Sequence, residues 1–116
     1  MNKEDCVFCQ ILNGSISGDI IHKEDDLVAV KDINPQAPEH ILIIPVRHIE
    51  RLSHTVREDT MLLGKMVHLA AKLAKENNYT DNGYRIVLNE GKDAGQTVYH
   101  IHLHLLSGRR FLWPPG

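Results

Sequence analysis

From residue 98 to residue 106 the chain reads Val-Tyr-His-Ile-His-Leu-His-Leu-Leu, so that three imidazoles alternate with large apolar side chains. Alternation at period two marks a half-buried β-strand, because successive side chains leave opposite faces of a pleated backbone. His100, His102 and His104 then share one face, and Tyr99, Ile101, Leu103 and Leu105 share the face that packs on a core. A hydrogen-bonded surface stripe is the bland account of such a row. Chemistry is the stronger one, since imidazole titrates near neutrality and can attack, carry a proton or ligate a metal.

The rest of the chain sets the frame for that strand. With 116 residues there is room for one compact domain, 1–116, and not comfortably for two. Apolar residues make up 42% and charged residues 24%, a globular balance that excludes a disordered or fibrous chain. The net charge of −2 supplies no basic field that would call for nucleic acid as a partner. No apolar run approaches the roughly 18 residues of a membrane span, and the opening Met-Asn-Lys-Glu-Asp-Cys lacks the charged-then-apolar pattern of a signal peptide. The expected setting is the cytoplasm. There Cys6 and Cys9, the chain's two cysteines, read as a metal half-site or a redox pair before a structural disulfide.

In chain order, Asp5 is expected to cap a short helix carrying Val7, Phe8, Ile11 and Leu12, which stops at Asn13-Gly14. Residues 19–22 and 27–32 read as two strands around the acidic turn Glu24-Asp25-Asp26. The two prolines of Asn34-Pro35-Gln36-Ala37-Pro38 make that segment a loop. Ile41-Leu42-Ile43-Ile44 lies in a buried strand over 40–45. Thr55 and Glu58 have the spacing of a capping box, and Leu62, Met66, Leu69 and Leu73 recur at helical steps, which predicts a long helix from about Val56 to Asn77. Leu63, Val67, Ala70 and Ala74 widen its apolar stripe. A further strand over 84–89 and a glycine-containing loop over 91–96 deliver the chain into the histidine strand. The fold class is α+β, an antiparallel sheet with one short N-terminal helix and one long helix, both expected on one side. The tail, Phe111-Leu112-Trp113-Pro114-Pro115-Gly116, is apolar enough to dock on its own domain or on a partner subunit.

The loop Asn89-Glu90-Gly91-Lys92-Asp93-Ala94-Gly95-Gln96-Thr97 offers glycines that let backbone N–H groups approach an anion, and a hydroxyl that can donate. It is not a P-loop, because no Gly-Lys-Ser/Thr follows. A simple hairpin connection would explain the glycines as well, but next to three aligned imidazoles an anion site describes phosphoryl or nucleotidyl transfer.

These segments together resemble a known family. His100-Ile101-His102-Leu103-His104-Leu105-Leu106 fits the histidine triad signature, and the chain is similar to histidine triad nucleotide-binding proteins of the purine nucleoside phosphoramidase branch. The likeness extends over Asp32-Ile33-Asn34-Pro35-Gln36-Ala37-Pro38-Glu39-His40, the loop that begins Asn89-Glu90-Gly91, and the terminal Trp113-Pro114-Pro115-Gly116. It implies a homodimer whose subunits bind purine nucleoside monophosphates and hydrolyse nucleoside 5′-phosphoramidates, or aminoacyl adenylates, through a nucleotidyl-histidine intermediate. It assigns His102 as nucleophile, with His40 and His104 assisting. Asp32 would hold the ribose, and Phe8, Ile11 and Ile33 would line the base and sugar pocket. Asn89, Gly95, Gln96 and Thr97 would surround the phosphate together with His102 and His104. Residues 107–116 would form a tail near the active site.

No metal or other cofactor is required for that chemistry. The resemblance does imply a possible structural zinc held by Cys6, Cys9, His48 and His100, against the alternative of two reduced cysteines packed as small apolar groups. His22, His54 and His68 fall outside the motifs and read as ordinary surface or partly buried residues, as do Arg47, Arg51, Arg109 and Arg110. Lys31 should face away from Asp32 by alternation. Two other functions compete. A cupin-type metal enzyme would use the His-x-His pair as ligands, but the long amphipathic helix argues against that mostly β architecture. A noncatalytic purine-nucleotide-binding or scaffold protein would use the same pocket without turnover.

Overall fold

The computed structural model describes residues 2–116. Its sheet is built from β1 (Ile20–Lys23), β2 (Leu27–Lys31), β3 (Glu39–Pro45), β4 (Tyr84–Val87) and β5 (Leu103–Ser107), in the order β1-β2-β3-β5-β4 with every neighbouring pair antiparallel. Helix α1 (Val7–Leu12) precedes the sheet, and α2 (Thr60–Glu76) lies between β3 and β4 in the chain. This is the α+β architecture expected, with one correction. The two helices cover opposite faces of the sheet.

The correction follows from the apolar pattern of the central strands. On β2 and β3, Leu27, Ala29, Ile41 and Ile43 pack with Met66, Leu69, Ala70, Leu73 and Ala74 of α2, while Val28, Val30, Leu42 and Ile44 pack with Cys6 and Phe8 at α1. A strand buried on both faces needs a continuous apolar run, which Ile41-Leu42-Ile43-Ile44 provides. Each such side chain taken fully out of water contributes about 1.5–3 kcal/mol. Ile101, Leu103 and Leu105 join the α2 side as alternation predicts, whereas Tyr99, expected with them, lies half-buried in the bend before the strand, with the Arg51 guanidinium 5.9 Å from its ring centroid.

Helix boundaries differ from expectation for local reasons. Cys6, not Asp5, is the N-cap of α1, and its Sγ accepts from the Cys9 N–H at 3.4 Å. Ahead of α2 the chain makes two 3-10 turns, Leu52–His54 and Arg57–Asp59, in place of a helix beginning near Val56. The reciprocal cap there belongs to Val56 and Asp59: the Val56 N–H donates to Asp59 Oδ2 at 2.9 Å, and the Asp59 N–H donates to Val56 O at 2.9 Å. The Val56 N–H, followed by the Arg47 guanidinium paired with the carboxylate, holds the Asp59 carboxyl below its usual range. Thr55 and Glu58 have the right spacing but sit one residue out of register with this turn. Val67, expected on the apolar stripe, is 49% exposed.

The histidine strand is also shorter than its alternation suggests. Regular pairing begins at Leu103, and residues 98–100 form a bend. The cause is visible in the partners: β5 pairs with β3 from Ile43↔Leu103 onward, and the Ile101 N–H turns to Ile49 O at 2.7 Å. Among the described residues no helix is long and apolar enough to cross a membrane.

Candidate active site and metal cluster

Register places the first group of side chains. Because Leu42 of β3 pairs with His104 of β5, and His40 pairs with Leu106, the rings of His40 and His104 come from adjacent strands on the α1 face. His40 Nδ1 accepts the Gln36 N–H at 3.0 Å, so the proton of its neutral ring sits on Nε2. That Nε2–H donates to His104 Nδ1 at 2.9 Å, with Asp32 Oδ2 3.4 Å away. His104 is then left with Nε2–H to offer a ligand. Burial pushes the His104 imidazole down to about 4 and lowers that of His40 as well, against the opposing pull of Asp32.

His102 has the opposite tautomer for an equally local reason. Its Nδ1–H donates to His100 O at 2.8 Å, which leaves Nε2 as a bare base. Burial lowers its pKa, keeping the ring neutral near pH 7. Phe8 packs edge-on against it at 4.9 Å between ring centroids, and the His104 ring also lies at 4.9 Å.

These histidines line a cleft of about 550 Å³, a volume suited to a mononucleotide. Phe8 and Ile11 of α1, Asp32, Ile33, Gly95 and Thr97 are all in its wall beside His40, His102 and His104. Ile33 is 95% exposed at the rim. Asp32 keeps one oxygen occupied by the Asn34 N–H at 2.8 Å. Lys31 also reaches the cleft edge, so alternation alone did not place it. The wall further contains Val7, Ile16, Gly18, Val30, Leu42 and Val98, which sequence reasoning did not single out. Leu42 and Val30 share a sheet face with His40 and were findable by alternation; Ile16 and Gly18 sit in an irregular segment that carries no such signal.

Asn89 and Gln96 lie outside the cleft lining. Gln96 is 5% exposed and turned into the protein, where Oε1 accepts the Gly91 N–H at 2.9 Å and Nε2 donates to Glu50 O at 2.8 Å and Val98 O at 3.2 Å. Its role here is to fasten the loop. Gly91 and Gly95 turn that loop at φ of +88° and +89°, a backbone region that favours glycine, so Gly95 and Thr97 are presented to the cleft.

A second group converges on the other side of Phe8. The ligand atoms of Cys6, Cys9, His48 and His100 all lie within 4.8 Å of one another. Cys6 Sγ is 3.3 Å from His100 Nδ1, Cys9 Sγ is 3.3 Å from His48 Nδ1, and the two Nδ1 atoms are 3.2 Å apart. His100, 0% exposed, donates Nε2–H to Pro45 O at 2.7 Å, which directs the lone pair of Nδ1 inward. Burial pushes this imidazole down to about 4 and, with Cys6 alongside, pushes the Cys9 thiol up to about 11. Two sulfurs and two nitrogens at these separations fit a tetrahedral zinc, whose bonds of about 2.0–2.3 Å set ligand atoms about 3.3–3.8 Å apart. A zinc ion there would hold both sulfurs as thiolates.

With this geometry in place, comparison with known proteins decides the family. The model of the HIT domain family matches residues 13–111. The chain belongs to the HIT family. It is 43% identical over 113 residues to an uncharacterised HIT-like protein of Synechocystis, covering 97% of this chain and 98% of that one. The crystal structure of a HIT family hydrolase from Legionella pneumophila superposes with a TM-score of 0.93 at 44% identity, covering 97% of this chain and all (100%) of that one. A histidine triad nucleotide-binding protein from Candida albicans gives 0.80 at 29% identity, covering 97% and 85%.

The remaining predicted surface residues are unremarkable. His54 and His68 are exposed, and His22 lies 3.8 Å from Glu24. A polar recess of about 500 Å³ beside Tyr79 and Arg110 contains none of the histidines, and its buried groups are satisfied: Tyr79 donates to Glu39 at 3.1 Å and Ser107 to Gly83 O at 3.0 Å. Within its own chain, no residue of 107–116 lines the histidine cleft. Phe111 is held beneath the guanidinium groups of Arg85 and Arg109 at 5.3 and 4.4 Å, while Leu112 and Trp113 are 75% and 82% exposed.

Proposed function

We propose that this protein is a hydrolase of nucleoside 5′-phosphoramidates, acting through a nucleotidyl-histidine intermediate and releasing a purine nucleoside monophosphate. The observation that carries this reading is the His102 tautomer: Nδ1–H is committed to His100 O at 2.8 Å, and Nε2 is free in the wall of the cleft. Nε2 attacks phosphorus, and the carbonyl stabilises the positive charge that develops on the ring. His104 offers Nε2–H to a phosphoryl oxygen or to the departing nitrogen, its tautomer set by the His40 proton. Gly95 and Thr97 border the phosphate, Asp32 accepts from the ribose hydroxyls, and Phe8, Ile11 and Ile33 contact the base. Water then cleaves the phosphorus–imidazole bond and regenerates His102.

Zinc, held by Cys6 and Cys9 Sγ with His48 and His100 Nδ1, would supply a cross-link and no step of this reaction. Homodimerisation belongs to the same reading, because β4 is an edge strand exposing Tyr84 and Ile86, and the tail tied to it by the Arg85 hydrogen bond to Leu112 O at 3.1 Å leaves Leu112 and Trp113 exposed. A tail that does not line its own cleft would reach a nucleotide only across such an interface.

The test is a single turnover with an adenosine 5′-phosphoramidate bearing a fluorescent amine, without added metal, on wild type and His102→Ala. Amine release by wild type alone is expected. Tight nucleotide binding by a folded wild type with no release would favour the noncatalytic nucleotide-binding reading instead.

A further inference from the structure

Helix α1 has only six residues, well below the roughly 12–15 that a helix needs to persist in water by itself. It must be held from outside. Among the described residues, its other hydrogen bonds stay within the N-terminal segment: Gln10 Nε2 donates to Glu4 O at 2.9 Å, and the Ile16 N–H donates to Gln10 O at 3.3 Å. Its polar links to the body of the protein run from Cys6 and Cys9 to His48 and His100. Between those two cysteines in the chain stands Phe8, which packs edge-on against His100 at 5.8 Å and against His102 at 4.9 Å, and which lines the cleft with Ile11. A second route is through the backbone. The His100 ring is fixed at both nitrogens, Nδ1 in the cluster and Nε2 on Pro45 O, and the carbonyl of the same residue receives the His102 Nδ1–H.

We propose that the Cys6, Cys9, His48 and His100 cluster is a positioning device for the active site: zinc filling it holds α1 on the sheet, so that metal occupancy sets the placement of Phe8 and the His102 ring and thereby nucleotide affinity. The proposal rests on the zinc and nucleotide-cleft readings above and goes beyond a structural staple, which would stabilise the fold and leave the cleft indifferent. Metal and nucleotide are then linked ligands. By reciprocity, a bound nucleotide should raise the affinity for the metal by the same factor as the metal raises that for the nucleotide.

The experiment compares zinc-loaded protein, protein stripped by a chelator, and the variants Cys9→Ser and His48→Asn, neither of which is a residue of the cleft machinery. Zinc content is read by atomic emission, amide exchange by mass spectrometry over α1 and α2, His102 by its imidazole nitrogen resonances, and AMP affinity by calorimetry. Expected are one zinc per chain and, on its removal, faster exchange confined to α1, shifted His102 resonances and AMP affinity lower by about ten-fold. Affinity unchanged within about two-fold, or α1 exchange unaltered, would overturn the proposal. So would parallel loss of protection in α1 and α2, which makes the cluster a staple of the whole fold, or a purified protein that takes up no zinc. Should AMP fail to bind even the loaded protein, the nucleotide reading falls and the exchange and His102 signals alone decide the positioning device: a local response sustains it and none refutes it.

Discussion

Two histidine clusters, one on each side of Phe8, draw on overlapping elements and differ in what they can hold. Cys6, Cys9, His48 and His100 gather around one point, and so do Asp32, His40 and His104. In the first, the outward nitrogen of His100 donates to a carbonyl, so its inward nitrogen is a lone pair facing thiols. In the second, the outward nitrogen of His40 accepts the Gln36 N–H, so its inward nitrogen carries a proton and passes it toward His104. A cation would have to displace that proton. The hydrogen bond on the far side of an imidazole therefore decides whether the near side binds metal or moves protons.

Substitutions can split the clusters. After the loss of release expected of His102→Ala, the largest expected effect is that of His104→Ala, which should slow amine release by about 10²–10⁴-fold while zinc stays at one per chain. Retained activity would remove the proton-donor role from the second cluster. Cys6→Ser, measured alongside, is expected to lose the metal and to unfold at lower temperature; metal retained at wild-type level would take Cys6 out of the ligand set.

Acid should act on both clusters in one direction. His100 and His104 are held down to about 4 by burial, against 6.5 for a free imidazole, so the unfolded chain binds more protons between those values. Their contribution to stability is fully present above pH 6.5 and is lost as pH falls through about 4. Urea midpoints measured on the zinc-stripped protein, where His100 titrates without a metal, should decline across that window. A flat profile would mean the rings are not buried neutral.

The smallest effect expected is that of Gln96→Ala. It removes the fastenings to Gly91, Glu50 and Val98, each net interaction being worth about 0.5–1.5 kcal/mol. KM should rise several-fold with kcat nearly kept, because the loop and not the nucleophile is disturbed. An equal fall in kcat would instead place Gln96 on the reacting phosphate.

How much of this was legible follows the range of the interaction. Alternation alone oriented Ile101, Leu103 and Leu105 toward the core, and the continuous run at Ile41 to Ile44 already implied burial on both faces, although α1 was too short to be recognised as the second cover. The cap at Val56 and Asp59 was missed by one residue because Thr55 and Glu58 have the same spacing and the side chains of a capping box, whereas Val56 caps through its backbone alone. Nothing local tells that Gln96 turns inward, since a polar side chain in a glycine loop suits solvent, ligand or backbone equally. The spacing of Cys6 and Cys9 announced half a site, but the other half lies 39 and 94 residues away from them, at His48 and His100. Only the fold or a family resemblance could supply it.

The pairing of β3 with β5 has a kinetic consequence. Leu42↔His104 and His40↔Leu106 join positions more than sixty residues apart, with α2 and β4 threaded between them. Closing so large a loop costs entropy that local helix formation does not, so this pairing is slow relative to α2. Helical signal should return early in refolding, and the ability to turn over a nucleotide should return only with the last strand pairing. A newly made chain thus stays chemically silent until its sheet is complete.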